Sequence, residues 1–151
     1  MHNEQIWHSI KNDADVKNFM ESVCYFHDSC IKELKYTSGA YVDDTLAMHP
    51  LNNARVLSII IQWQFESLSM LELRFEDLKY LKLFPIGTDY TCEILGASMF
   101  ISDGCIYWGD SEELSAESCG DCEGMIVCAG SLSWREIGGC LGEDEFFRAA
   151  K

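Results

Sequence analysis

A chain of 151 residues with 25 Asp and Glu against 11 Lys and Arg carries a formal charge of -14. A nucleic-acid backbone or an anionic lipid surface is repelled by that average field, and the few clustered lysines (Lys32, Lys35, Lys79, Lys82) are interleaved with acids. A 48% hydrophobic and 12% aromatic content offsets chain entropy and excludes disorder, and the length suits a single domain spanning 1–151.

The first residues contain no basic stretch followed by an apolar one, so no secretory signal is expected. The longest apolar run, Val56 to Ile61, is strand-sized, against roughly 20 residues for a membrane helix. The expectation is a cytoplasmic protein whose eight cysteines stay reduced.

In chain order, Val16, Phe19, Met20 and Val23 form one apolar helical stripe, with Asn12 or Asp13 as N-cap and an end near Cys24. Leu34 and Tyr36 alternate with polar neighbours as a strand, and Ile31 is out of phase, which predicts a bulge near Lys32. Residues 37–40 read as a turn and 48–53 (MHPLNN) as a loop. Leu57, Ile59, Ile61, Trp63 and Phe65 share one strand face. Leu71, Leu73 and Phe75 repeat the pattern after a turn at 66–69, whereas 78–84 alternates poorly.

Asp103-Gly104 predicts a tight hairpin between flanking strands. The acidic stretch 111–124 reads as a loop or one short helix. Ile126, Cys128, Leu132 and Trp134 are expected on one face of a last strand, with a helical turn in the tail from Glu143. One helix and about seven strands predict an α+β fold: an N-terminal helix packed on a mainly antiparallel β-sheet folded as a sandwich or partial barrel.

The densest chemistry lies in the helix-to-strand junction, at Cys24, Tyr25, His27, Asp28, Ser29 and Cys30, while the paired carboxylates Asp43-Asp44 and Glu112-Glu113 sit in polar loops and read as solvated acids of a candidate binding surface. A triad of adjacent residues fails on geometry, because neighbours on a chain rarely converge. Asp28 is expected to be structural, its carboxylate accepting backbone amides at the turn. A competing reading makes His27 and Asp28, with Cys24 or Cys30 and His49, a metal-dependent or small-molecule site.

Cys119 and Cys122 have half of a zinc spacing and lack the second half. The chain has no phosphate loop, dinucleotide fingerprint, zinc-protease helix motif or serine elbow, so no cofactor is expected and an enzyme is disfavoured. The binding residues this leaves are His27, Asp28, Ser29, Tyr41, Asp43, Asp44, His49 and Trp108, facing a protein partner that the charge predicts to be basic.

The run FHDSCIKELKYTSGAYVDD, followed by MHPLNN, LKYLKLFP and CIYWGD, resembles a family of small, functionally uncharacterised bacterial proteins from Firmicutes, over about Val23 to Trp134. Its FHDS opening and the strands after it also look like immunity proteins of bacterial polymorphic-toxin systems. Those are small, often acidic, intracellular domains that neutralise a toxin by binding it. The resemblance implies a non-enzymatic binding module and transfers no catalytic residue. The cysteine-rich loop from Cys119 to Cys128 corresponds to nothing in that group.

Overall fold

Asn12 starts the helix through a reciprocal cap. Its Oδ1 accepts the Asp15 N–H at 2.9 Å, and the Asp15 carboxylate accepts the Lys11 N–H at 2.8 Å. The computed structural model describes residues 6–121, 123–138 and 141–148. In it α1 runs over Asp13–Ser22, stopping just short of Cys24, and its predicted stripe delivers Phe19, Met20 and Val23 to the core. Phe19 stacks on Trp134 with ring centroids 4.7 Å apart.

Ten strands are found among the described residues: β1 (His8–Ile10), β2 (Ser29–Thr37), β3 (Tyr41–Val42), β4 (Met48–His49), β5 (Val56–Trp63), β6 (Met70–Lys82), β7 (Glu93–Ile94), β8 (Ser98–Ser102), β9 (Cys105–Gly109) and β10 (Ile126–Glu136). Eight form one antiparallel sheet in the order β7-β2-β5-β6-β10-β9-β8, with β1 also pairing to β10. A single hydrogen-bonded path that curls into a half-barrel replaces the two stacked layers of a sandwich. β3 and β4 pair only with each other, so Met48 and His49, read as loop, belong to a small separate ribbon.

Two local expectations are met. The β2–β5 register slips between Ile31 and Glu33, which is the bulge at Lys32. Ser102 pairs with Cys105 across Asp103 (φ 50°) and Gly104 (φ 74°), the two positive φ values that a two-residue hairpin requires. Phe65 lies beyond β5 and is half-exposed, stacked on Trp63 at 4.2 Å.

The poorly alternating 78–84 has a physical cause. β6 continues straight through it, but the inward-facing set changes parity twice: from Leu71, Leu73 and Phe75 to Leu78 at the left-handed Asp77 (φ 53°), and back to Leu81 at the register slip between Leu78 and Tyr80. β10 follows, with Val127 and Ala129 inward at one end and Leu132 and Trp134 at the other. Ile126 and Cys128, expected to face the core with Leu132 and Trp134, therefore lie on the opposite face.

That outer face has its own apolar cluster. Ile60, Met70 and Ile137 are covered by Phe146 and Phe147, and the Phe147 N–H donates to Glu33 Oε1 at 2.8 Å. The described part of the tail is non-helical and lies against the sheet. Nearby, Glu72 is buried and faces Arg135 across the β6–β10 ladder, accepting from Nε at 2.7 Å, while Trp7 lies 4.6 Å from the guanidinium. No helix of the described residues is long and apolar enough to cross a membrane.

Candidate functional site

Where α1 ends, the backbone turns left-handed. Cys24, Tyr25 and Phe26 have φ of 47°, 54° and 61°, and Asp28 follows at 66°. Consecutive left-handed non-glycine residues cost roughly 1–2 kcal/mol each, and such residues normally occur singly. The turn persists because the surrounding structure fixes it at almost every group.

Val23 and Cys24 carbonyls accept from Phe26 and His27 N–H at 2.9 and 3.0 Å. The Tyr25 carbonyl accepts from Ala97 N–H at 2.8 Å, and the Phe26 carbonyl from Ser29 Oγ at 2.5 Å. Trp63 Nε1 donates to the His27 carbonyl at 2.6 Å, and Asp28 exchanges backbone bonds with Ile94 and Gln64. Phe26 is the anchor, buried edge-on against Phe19 and Trp108.

With Phe26 pinned inward, Cys24, Tyr25 and His27 are left exposed along an open cleft of about 740 Å³ between α1, the start of β8 and the 110–125 loop. Its apolar floor includes Met20, Ala97 and Met99, and its rim carries Asp13, Glu112 and Glu113. Lys17 is the lining lysine among the described residues, and it pairs with Glu21 at 4.0 Å. Ser98 holds the loop in place, donating to the Ser111 carbonyl at 2.7 Å and accepting the Leu114 N–H at 3.0 Å. Gly96 lies close beside it, and a Cβ there would push the exposed Glu112 side chain aside. Tyr25 was expected in the reactive cluster of the junction, and Glu112 and Glu113 as a solvated pair in an acidic loop; that they line one cleft was not legible, because no local pattern marks a left-handed Cys-Tyr-Phe turn.

The residues expected at a binding surface separate. His27 Nδ1 meets Asp28 Oδ2 at 3.1 Å, and that imidazole is the partner of the Asp28 carboxylate. Among the described residues the expected carboxylate-to-amide bonds are not formed; Asp28 shapes the turn through its own backbone and its tolerance of positive φ. Asp28→Gly should therefore hold or slightly raise the denaturation midpoint, while Asp28→Ala should lose about 1 kcal/mol. Urea melts decide it, and equal losses for both variants would sink the conformational explanation. Ser29 is buried and spends its hydroxyl on the Phe26 carbonyl.

Tyr41, Asp43, Asp44 and His49 belong to the β3–β4 ribbon. Tyr41 stacks on His49 at 4.4 Å, and His49 Nε2 lies 2.8 Å from Asp43 Oδ2. That imidazole, with Thr45 and the Ala47 amide, holds the Asp43 carboxyl down at about 2. Asp44 is exposed. His49 is thus engaged with the ribbon and not with His27.

Trp108, expected at a binding surface, is fully buried beneath Phe26, out of reach of a partner. Cys119 is buried in a short 3-10 turn, and Cys122 lies outside the described residues. Among the described residues no three or more His, Cys, Asp or Glu groups are placed to hold a metal ion. Cys24, though exposed beside His27 in the cleft, makes no hydrogen bond to the imidazole among the described residues, so no nucleophile–base pair is assembled there. Compared with family models, curated proteins and solved structures, the chain matches none.

Proposed function

We propose that the protein is a non-enzymatic binding module that receives a basic segment of a protein partner in the cleft beside the left-handed junction. The observation that carries this reading is the lining itself: three rim carboxylates, a projecting tyrosine and an apolar floor. A Lys or Arg side chain fits such a site, laying its aliphatic stem on the floor and its charge among the carboxylates. Tyr25, half-exposed, offers a ring face to the same cation. The overall charge of -14 steers a basic partner toward it. A cytoplasmic immunity-type protein, bound to a basic toxin surface, is in keeping with the resemblance of the FHDS motif.

The test is fluorescence anisotropy with a labelled peptide alternating arginine and leucine, against a control with aspartate in place of arginine. Saturable binding of the first alone is expected, weakening as salt rises. Glu112→Lys with Glu113→Lys should weaken it at least about tenfold, a loss of about 1.4 kcal/mol. Gly96→Ala, which displaces the Glu112 side chain, should weaken it less and leave the melting midpoint unchanged. Equal affinity for both peptides, no saturable binding, or indifference to the charge reversal would overturn the reading.

A further inference from the structure

The two ends of the eight-stranded path are finished differently. At one end the short β7 covers Ser29 and Cys30 of β2, and the rest of that edge carries Lys32 and Lys35 beside the register slip. A short strand, lysines and a bulge are the usual means of keeping another chain off an open sheet edge. At the other end β8 (SMFIS) has none of them. It holds no charge and no proline, and it pairs with β9 without a slip from Ser98 to Ser102.

The hairpin fixes which way each backbone group of β8 points. Ser102 and Cys105 flank the two-residue turn and exchange hydrogen bonds, as do, in alternation, Phe100 with Tyr107 and Ser98 with Gly109. The N–H and C=O of Met99 and Ile101 therefore point away from β9, toward the free edge. Ala97 continues the same alternation, and its N–H donates to the Tyr25 carbonyl of the junction at 2.8 Å. Past that bond, no donor or acceptor meets the Met99 or Ile101 backbone across the edge among the described residues. The edge opens onto the cleft, whose lining includes Ala97, Ser98, Met99 and Phe100.

We propose that the partner's basic segment binds as an extended strand, added antiparallel to β8 along this edge. The inference rests on the cleft reading above and names the shape in which the cleft takes its ligand. Main-chain bonds to Met99 and Ile101 supply affinity that is blind to sequence, and side chains supply the selection. In an antiparallel pair, residues directly opposite share a face. Partner residues bonded to Met99 and Ile101 thus turn their side chains to the cleft floor, within the rim of Asp13, Glu112 and Glu113.

The residues between them fall on the outer face, beside Phe100 and Tyr107, whose rings stack at 4.7 Å. A segment alternating basic and apolar residues suits both faces. A second copy of β8 does not, since it brings no cation to the carboxylates and sets two acidic rims together.

The experiment compares three labelled peptides by fluorescence anisotropy: the arginine–leucine peptide, the same peptide N-methylated at every arginine, and the same N-methylated at every leucine. Charge and side chains are identical in all three, so attraction to the carboxylates alone predicts equal binding. Strand addition predicts that methylating the arginines, whose amides meet β8, weakens binding at least about tenfold, while methylating the leucines changes it by less than about twofold. In residue-resolved amide exchange of the full-length protein, the unmodified peptide should slow Met99 and Ile101 at least about tenfold. Phe100, already bonded to Tyr107, should change little.

No saturable binding of the unmodified peptide overturns this inference together with the cleft reading. Binding that is lost on reversing Glu112 and Glu113 but indifferent to methylation leaves the cleft reading standing and overturns the strand. Equal losses from both methylated peptides do the same, as does a complex in which Met99 and Ile101 exchange as fast as before. A peptide-free dimer in ultracentrifugation, with both amides already slow, would assign the edge to a second copy and also overturn the proposal.

Discussion

Arg135→Ala should destabilise the protein by about 2–4 kcal/mol, because it leaves the Glu72 carboxylate buried without its cation. The range is set below that of a fully enclosed pair, since the Arg135 side chain keeps 26% of its exposure. The loss is mainly the cost of an uncompensated charge, not of a missing contact. Glu72→Met combined with Arg135→Leu should therefore recover most of it, replacing both charges with apolar groups of similar volume. Urea unfolding of the single and double variants measures this directly. A double variant as unstable as Arg135→Ala would show that packing, with Trp7 against the guanidinium, is the larger contribution.

Trp108→Ala is expected to cost about 3–5 kcal/mol, the range for removing a large, fully enclosed aromatic side chain. Trp108→Phe should be far milder. The indole N–H has no acceptor among the described residues, and deleting an unpaired buried donor returns about 1–3 kcal/mol against the lost volume.

The pair also separates the platform from the cleft. Phe26 rests edge-on against Trp108 at 5.5 Å, so the alanine variant should release the left-handed turn and weaken binding of the arginine–leucine peptide. The phenylalanine variant should bind as wild type. A phenylalanine variant that unfolds as readily as the alanine one would mean that the ring nitrogen is satisfied in solution.

Much of the fold was legible because apolar spacing maps directly onto burial. Phe19, Met20 and Val23, and then Leu57, Ile59, Ile61, Leu71, Leu73 and Phe75, fall where periodicity puts them. The Asp103-Gly104 hairpin and the slip at Lys32 were legible for the same reason: each needs a specific local residue or a phase change.

What failed depended on non-local geometry. The poor alternation at 78–84 announced a break near Asp77 but not its cause; the close approach of the Asp77 side chain to Gly130 of the neighbouring strand makes it visible. His27 and Asp28 were legible as a cluster able to do chemistry. Glu112 and Glu113 were legible as acids of a surface loop but not as neighbours of that cluster, since about 85 residues separate the loop from the junction in the chain.

The left-handed turn also dictates an order of events during folding. Its own sequence opposes it, and much of what holds it arrives from far along the chain: Trp63, Gln64, Ile94, Ala97 and Trp108. Closing those long loops is entropically costly, so β5, β8 and β9 must already be in place before the strained conformers are compensated. The junction is thus expected to set last, onto a sheet that nucleates elsewhere, with Tyr25 and Phe26 in ordinary right-handed or extended backbone in an early collapsed chain. The same platform that presents the cleft exists only in the finished molecule, and a partner that reads it distinguishes native protein from every intermediate.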